Sequence, residues 1–229
     1  FTADTDGRVS LIDRGFMREI LAEDAERDKM QSCEYYQKWM GVRTGDLNYV
    51  VDYALNQAAS SDPDPVYALI DTTKIGVMGH SLGGSAALGI GRTRHHVGAV
   101  IALESPFMCD IIGVENGQFV WNEETYPIPV LNIYSDNSWS RLDELPQYAA
   151  NARLLADTAT ISYNVHMRGA GHLSLTDLAL TSPLLTRILN GRKAGIDTQY
   201  CLTTINRLAL EFFDCYLKGK GGFSPQAFY

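Results

Sequence analysis

Residues 79–83 are Gly-His-Ser-Leu-Gly, a serine with a glycine two positions away on either side. They follow a short apolar run at 74–78, which predicts a strand, and precede a small-residue run at 82–91, which predicts a helix. A serine nucleophile needs this setting, because the tight turn holds its hydroxyl out of the sheet and the glycines let the backbones approach. The alternative is a purely structural glycine-rich turn, in which the serine only caps the helix, because such a turn can have the same sequence. The strand and helix on either side favour Ser81 as the nucleophile of an acyl transfer.

The predicted helix begins at Leu82, so its first N–H groups have no partner within the helix. The same end carries the positive pole of the helix dipole, which stabilises an anion. Attack by a serine hydroxyl on an ester creates an oxyanion. We therefore predict that the backbone N–H of Leu82 forms part of an oxyanion hole.

A serine hydroxyl becomes a useful nucleophile only when an imidazole accepts its proton, so a histidine has to lie nearby. The chain has five histidines. His80 lies within the turn itself, His95 and His96 precede a predicted strand at the edge remote from the serine, and His166 lies inside a predicted strand. Only His172 follows the last predicted strand, in a Gly-Ala-Gly-His loop at the edge where such sites form. We predict His172 as the general base.

The imidazole needs a carboxylate to orient it, and in this chain order the carboxylate follows a strand between the serine and the base. Two residues meet this condition. Glu104 ends the run 100–104, and Asp136 ends the run 130–136. The spacing alone leaves both as candidates for the acid.

These residues need a scaffold, and the sequence indicates an alternation of strands and helices. Runs rich in β-branched and apolar residues predict strands at 74–78, 98–103, 130–134 and 161–167. Helical stretches at 82–91, 141–155 and 203–217 separate or follow them. This order is typical of an α/β fold with a mainly parallel sheet flanked by helices. Asn116 and Gly117, between apolar residues, predict a small hairpin within 111–129.

The N-terminal part has a different pattern, because apolar residues recur there at helical spacing. We predict one amphipathic helix over 9–30 and a second over 44–59, which the segment Ser-Ser-Asp-Pro-Asp-Pro at 60–65 ends. Beyond the predicted base, leucines are frequent. They are expected to pack helix against sheet, and the alternative is that they line a substrate pocket: Leu173, Leu175, Leu178, Leu180, Leu184 and Leu185.

Three segments resemble the platelet-activating-factor acetylhydrolase (lipoprotein-associated phospholipase A2) branch of the α/β-hydrolase serine esterases, and related bacterial esterases. They are Gly-His-Ser-Leu-Gly-Gly at 79–84, Arg-Gly-Ala-Gly-His at 168–172 and Phe-Phe-Asp-Cys-Tyr-Leu-Lys-Gly at 212–219. The resemblance covers about residues 43–220. It implies the α/β-hydrolase fold and a serine esterase.

The resemblance also bears on the acid. In that branch the acid follows the strand after the nucleophile, in an Ala-Leu-Asp segment, and here Ala-Leu-Glu ends at Glu104. Many other α/β-hydrolases carry it one strand later, three residues beyond a glycine. Ser135 and Ser138 take those two places here, so Asp136 is out of register. The resemblance favours Glu104, with Asp136 as the alternative acid, although Glu for Asp adds one methylene. If neither serves, a Ser-His dyad remains.

We interpret the chain as the C-terminal portion of a single α/β-hydrolase domain. It would consist of a helical segment at 1–42, which could act as a cap, and a catalytic core at 43–220. The resembled fold has eight strands, and only the last four are found here. The strand predicted at 74–78, which leads to Ser81, would have a neighbour on only one side. Its other edge would be hydrophobic and would expose unpaired N–H and C=O groups. We therefore expect a companion N-terminal segment or chain that completes the sheet. The second oxyanion donor would come from that part.

The expected activity is hydrolysis of short-acyl esters, of phospholipid type, through an acyl-enzyme on Ser81. A polyester or aryl-ester hydrolase would have the same motifs, and a serine peptidase of the prolyl-oligopeptidase type would share the turn. The non-enzyme alternative is a catalytically silent binding protein on a hydrolase fold. The mechanism requires no metal ion and no organic cofactor.

Composition excludes several classes of protein. With 19 Lys and Arg against 27 Asp and Glu, the chain carries a net charge of -8 and has no basic block, which argues against a nucleic-acid partner. No apolar run reaches the length of a transmembrane helix. The four cysteines form no CxxC pair and no zinc-site spacing, so we predict free thiols. The first residues, which lack an initiator Met, leave the localisation open.

Overall fold

The computed structural model describes residues 2–3, 9–10, 13–190 and 195–229. The strands are β1 Thr2–Ala3, β2 Val9–Ser10, β3 Ile75–His80, β4 Val97–Leu103, β5 Ile111–Glu115, β6 Gln118–Trp121, β7 Val130–Tyr134 and β8 Ser162–His166. The α-helices are α1 Arg14–Ala22, α2 Lys29–Ala58, α3 Leu82–Thr93, α4 Asp136–Trp139, α5 Ala149–Leu154, α6 Leu178–Thr181, α7 Pro183–Leu189 and α8 Thr198–Lys218. Short 3-10 turns lie at Tyr67–Leu69, Met108–Asp110, Pro146–Tyr148 and His172–Leu175.

The central sheet has four parallel strands in the order β3-β4-β7-β8, which is also their order along the chain. All four predicted strands are confirmed. The two central strands, β4 and β7, consist almost entirely of buried residues, as expected for parallel strands covered on both faces. Because the strands run parallel, the turns after β3, β4, β7 and β8 meet at one edge. The fold is an α/β fold with a mainly parallel sheet flanked by helices, consistent with the α/β-hydrolase fold.

Helices cover both faces of this sheet. Alternate residues of β4 point to opposite sides, so Ile101 contacts the cluster that α8 closes and Val100 contacts the cluster that α3 closes. The helix α8 lies very close to the sheet. A Cβ atom on Gly76 would come within 2.5 Å of Phe213, and one on Gly98 within 2.9 Å of Leu217. The two glycines therefore let the side chains of α8 pack directly on β3 and β4.

The predicted hairpin is confirmed as β5 and β6, which pair antiparallel. Asn116 and Gly117 form its turn with φ angles of 50° and 73°, as a two-residue hairpin turn requires. The hairpin packs on α2 through Ile111 and Phe119, in a cluster that also includes Tyr36. The hairpin thus joins the N-terminal helices to the sheet domain.

The N-terminal helices differ from the prediction. The single helix predicted over 9–30 is wrong, because residues 9–10 form strand β2 and two helices follow, each capped by an aspartate. Asp13 accepts hydrogen bonds from N–H groups of α1, and Asp28 caps α2. Helix α2 then runs for 30 residues, through the range predicted as a separate helix over 44–59 and across position 42 without a break. The first half of α2, which the prediction did not assign to this helix, carries its buried residues: Ser32, Cys33, Tyr36, Trp39 and Met40.

The helix predicted over 141–155 is also wrong in its first half. Only Ala149–Leu154 is helical there, and a 3-10 turn begins at Pro146. Proline has no N–H and disfavours the helical conformation of the residue before it, and Leu145 is accordingly extended, with a ψ angle of 112°. The short α4 lies before this point.

The two outer strands of the sheet have different neighbours. The last residues of the chain run beside β8, where His166 donates its N–H to Ala227 and accepts from the N–H of Tyr229. Among the described strands, none pairs with the outer edge of β3. The Met78 side chain is 43% exposed. All four cysteines are free thiols, and no described helix is long and apolar enough to cross a membrane.

Candidate active site

Ser81 lies in a sharp turn between β3 and α3. Its φ and ψ angles are 56° and −128°, a conformation that L-residues with side chains rarely adopt. Strained backbone of this kind costs about 1–3 kcal/mol and persists only where the surroundings fix it. The Ser81 N–H donates to Leu103 O at 2.9 Å, which ties the turn to the end of the next strand. The predicted strand-turn-helix setting of the serine is therefore present.

Two glycines make this turn possible. A Cβ atom on Gly79 would lie 2.4 Å from the backbone of Gly83, and one on Gly84 would lie 2.0 Å from the hydroxyl of Ser105. By contrast, a Cβ atom on Gly83 would meet nothing within 4 Å. The strand and helix thus approach each other at Gly79 and Gly84, whereas the sequence motif suggested Gly79 and Gly83.

Leu82 is the first residue of α3, as predicted. Its N–H belongs to the first helical turn, where N–H groups have no partner within the helix. The helix dipole adds a positive potential at the same end. The Leu82 N–H is thus suited to donate a hydrogen bond to an oxygen that becomes negative beside Ser81.

His172 begins a 3-10 turn, His172–Leu175, beyond the end of β8. Asn190, which directly follows α7, supports this turn, because its Oδ1 accepts from the Leu173 N–H at 2.7 Å and its amide donates to Ser174 Oγ at 3.0 Å. Partial burial lowers the pKa of the His172 imidazole below 6.5. The ring is therefore neutral at neutral pH, the form in which it can accept a proton.

His80 connects the nucleophile turn to the base turn. Its Nε2 lies 2.8 Å from the backbone oxygen of His172, and the two imidazole rings are 4.4 Å apart between centroids. Burial, and then the nearby His172, lower the pKa of His80 to about 4. The ring is therefore neutral at neutral pH, and because a carbonyl only accepts, Nε2 carries the proton. This contact brings the turns of Ser81 and His172 together although they are far apart in sequence.

Glu104 follows β4 directly, with a φ angle of 51° and only 3% of its surface exposed. Its carboxylate accepts two hydrogen bonds from Ser135, one from the backbone N–H and one from the hydroxyl at 2.8 Å. Burial raises the pKa of Glu104, and the hydrogen bonds from Ser135 act in the opposite direction. The negative charge of Glu104 raises the pKa of His80 and so offsets part of the lowering that burial causes.

Asp136 lies on the next turn of the same sheet edge, and its carboxylate has different partners. His166 Nε2 lies 2.7 Å from Oδ1, and the Gly169 N–H donates to Oδ2 at 3.0 Å. The side chain is 47% exposed. Asp136 thus contacts the histidine inside β8 and the loop that leads to His172.

The structure therefore brings the turns of Ser81, Glu104 and His172 to one edge of the sheet. Ser81 and Glu104 are neighbours, since the N–H of Ser81 bonds to the residue before Glu104. Among the hydrogen bonds of the described residues, none joins the His172 ring to the Ser81 hydroxyl or to either carboxylate. Catalytic hydrogen bonds are often long in the absence of substrate and tighten in the complex.

Sequence reasoning missed three supports of this site: His80 as the link to His172, Asn190 as the support of the base turn, and Ser135 as the donor to Glu104. His80 had a usable signal, because it directly precedes the serine at the end of the same strand. Asn190 had none, since its role depends on how α7 packs. The described residues contain no group of three or more His, Cys, Asp or Glu side chains placed to hold a metal ion.

The leucines beyond His172 were expected to pack helix against sheet, and the structure differs. Of these six residues only Leu175 is buried in the core, whereas Leu180, Leu184 and Leu185 are 52%, 73% and 45% exposed. Their helices α6 and α7 are short and turn these side chains outward. Most of the leucines therefore do not pack helix against sheet.

Residues 59–224 match the family model described as platelet-activating factor acetylhydrolase, isoform II. The match covers more than two thirds of the chain and includes every residue of the candidate site. No curated protein matches the chain.

Proposed function

Since the chain belongs to the family of platelet-activating factor acetylhydrolase, isoform II, and is thus a serine-esterase type of hydrolase, we propose that it cleaves short-acyl carboxylic esters through an acyl-enzyme on Ser81. In this proposal His172 is the general base, Glu104 the orienting carboxylate and the Leu82 N–H an oxyanion donor. The observation that carries it is the backbone of Ser81, held at a φ angle of 56° between a parallel strand and a helix N-terminus.

The reaction would proceed in two halves. The Ser81 hydroxyl attacks the ester carbonyl while His172 takes its proton, and the resulting oxyanion accepts a hydrogen bond from the Leu82 N–H. The intermediate then expels the alcohol, which receives the proton from His172. A water molecule repeats the sequence on the acyl-enzyme, and the acid leaves with Ser81 restored.

His172 suits this role because its lowered pKa keeps the imidazole neutral in the resting enzyme. A neutral ring accepts the serine proton, and an adjacent carboxylate then stabilises the imidazolium. We assign that carboxylate to Glu104, which is buried and directly follows β4, the strand that pairs with the one before the nucleophile. Glutamate is one methylene longer than the aspartate of the family pattern, and the hydrogen bonds from Ser135 hold this longer side chain.

We propose a phospholipid-type short-acyl ester as the substrate, because the family model is described by an acetylhydrolase. A polyester or aryl-ester hydrolase would use the same side chains, and a serine peptidase would cleave aminoacyl anilides with them. Turnover of p-nitrophenyl acetate, longer p-nitrophenyl esters and aminoacyl anilides separates these activities. We expect a preference for acetate and no anilide cleavage.

The central test is Ser81→Ala. We expect covalent labelling of Ser81 by a fluorophosphonate, and complete loss of labelling and of p-nitrophenyl acetate turnover in the variant, with an unchanged melting temperature. Ser61→Ala, which alters an exposed serine, is the matched control and should behave as the unaltered protein. Ester turnover by Ser81→Ala would contradict the proposal.

We also propose that a further strand pairs with the outer edge of β3. That edge has no partner among the described strands, and Met78 on it is 43% exposed, although inner strands of such sheets are covered. A companion segment at this edge could supply the second oxyanion donor, whose loss lowers kcat about a hundred- to a thousandfold. The test is residues 1–229 expressed alone. A stable monomer with efficient ester turnover would contradict this second proposal.

A further inference from the structure

The loop between β8 and His172 carries the base, so its position decides where the imidazole lies. It contains Gly169, whose φ angle of 75° lies in the left-handed region that favours glycine. The backbone oxygen of Gly169 accepts from the N–H groups of Gly195 and Ile196, which hold the loop from the side of α8. We call residues 167–171 the base loop.

Asp136 holds the base loop from the opposite side, at two points. Its backbone N–H donates to Ala170 O at 3.0 Å, and its carboxylate accepts from the Gly169 N–H at 3.0 Å. Both loop residues lie within three positions of His172. Asp136 itself is the first residue of α4.

His166 fixes the other oxygen of the same carboxylate. Its Nε2 lies 2.7 Å from Asp136 Oδ1, and its ring stacks on Trp139 with centroids 5.1 Å apart and planes 11° apart. The backbone of His166 is held on both sides, by β7 and by the last residues of the chain. His166 is therefore a rigid support, and Asp136 transmits its position to the base loop.

On this geometry, and resting on the proposed function, we infer that Asp136 is a positioning residue that holds the base loop and thereby places His172 for proton transfer. It does so without touching the imidazole of His172. The side chain is half exposed, so its hydrogen bond with His166 adds little to stability. Its importance is geometric, because a displacement of about 1 Å at the reacting groups can lower the rate about a hundredfold.

The hydrogen-bonding capacity of the side chain distinguishes this role from that of the triad acid. An asparagine at 136 can still accept from the Gly169 N–H through its oxygen, and its amide can donate to His166 if that ring moves its proton to Nδ1. An alanine can do neither. A positioning residue is therefore rescued by asparagine, whereas a triad acid is not, because asparagine leaves the base in the wrong tautomer.

The experiment compares Asp136→Ala with Asp136→Asn, and uses Asp143→Ala as the control, since Asp143 is an exposed carboxylate in the turn after α4. We expect Asp136→Ala to lower kcat roughly a hundredfold with little change in KM. Asp136→Asn should recover most of that loss, and the control should match the unaltered protein. Equal losses in Asp136→Ala and Asp136→Asn, or no loss in either, would overturn the inference.

Hydrogen exchange separates this inference from the proposed function, because it requires no activity. The amides of residues 168–173 should exchange faster in Asp136→Ala than in Asp136→Asn or Asp143→Ala. This expectation holds whether or not the protein hydrolyses a given ester. Unchanged exchange in Asp136→Ala would overturn the positioning role. If the unaltered protein showed no ester turnover that depends on Ser81, only the proposed function would be contradicted.

Discussion

The turns after β4 and β7 lie side by side at one edge of the sheet, and each carries a carboxylate. In the first turn, Glu104 is 3% exposed and accepts two hydrogen bonds from Ser135. In the second, the Asp136 side chain is 47% exposed and accepts from His166 and Gly169. The first carboxylate is buried beside the nucleophile turn, and the second is held by the loop that carries the base.

This difference arises from the backbone. Glu104 follows its strand immediately, and its left-handed φ angle of 51° turns the side chain under the next turn. Asp136 is separated from β7 by Ser135 and begins a helix, so its side chain lies at the surface. Two carboxylates that each follow a strand can thus have different surroundings, so the presence of a carboxylate in the turn after a strand does not by itself identify the acid.

The largest expected effect is the loss of kcat in Glu104→Gln. Removing the charge of an orienting carboxylate while keeping its shape lowers kcat by about four orders of magnitude. Glutamine at 104 can still accept from the Ser135 N–H and donate to its hydroxyl, so the fold should be retained. Asp136→Asn, its matched counterpart on the other turn, should lose far less. Turnover of p-nitrophenyl acetate by both variants is the measurement.

The opposite ranking would assign the acid to Asp136, and equal small losses would favour a Ser-His dyad. Glu104→Asp refines the result, because it keeps the charge but shortens the side chain. It should fall between the unaltered protein and Glu104→Gln.

A smaller effect is expected from Ser135→Ala. The substitution removes one of the two hydrogen bonds to the Glu104 carboxylate and leaves the backbone N–H in place. A lost hydrogen bond to a charged group corresponds to about 1.5–3 kcal/mol, which is roughly tenfold or more in kcat if Glu104 moves. Ser61→Ala, which alters an exposed serine away from both turns, is the control. Equal kcat values in the two variants would show that Ser135 does not position Glu104.

The smallest expected effect concerns stability and its dependence on pH. The pKa of Glu104 is raised in the folded protein, so the unfolded chain releases this proton at a lower pH than the folded protein. The contribution of Glu104 to the free energy of unfolding is therefore greatest at low pH, and it falls as the pH rises from the unfolded towards the folded pKa. Glu104→Gln removes this dependence.

We accordingly expect Glu104→Gln to melt at the same or a higher temperature than the unaltered protein at pH 7–8. The difference should shrink towards pH 4, where Glu104 is mostly protonated in both states. Thermal melts across this range are the measurement, with Asp136→Asn as the comparison. If Glu104→Gln melted at a lower temperature than the unaltered protein at pH 8 but not at pH 4, the result would contradict a raised pKa of Glu104.

Much of the sheet could be predicted from the sequence because its signals are local. The apolar runs gave all four parallel strands, and Asn116 with Gly117 gave the hairpin turn. The turn at Ser81 was predictable for the same reason, since strand, glycines and helix are consecutive. The α/β-hydrolase fold class, which rests on this alternation, is confirmed.

The remaining features depend on contacts between distant residues. The link from His80 to His172 joins positions 92 apart, and the support of the base turn by Asn190 depends on the packing of α7. The long α2 was predicted only in part, because its first half buries an aromatic stripe against the hairpin and α1. Pro146 is a local signal against a continuous helix over 141–155, because proline disfavours the helical conformation of Leu145.

The close packing of α8 on β3 and β4 has a consequence for the order of folding. The strands lie in the sheet in their order along the chain, and the side chains of Phe213 and Leu217, in α8, lie over Gly76 and Gly98. A ribosome-bound chain that has reached β8 therefore still exposes one side of β3 and β4. We expect such a nascent chain to depend on chaperones until α8 has left the exit tunnel, and sheet and helix to become protected in a single late step.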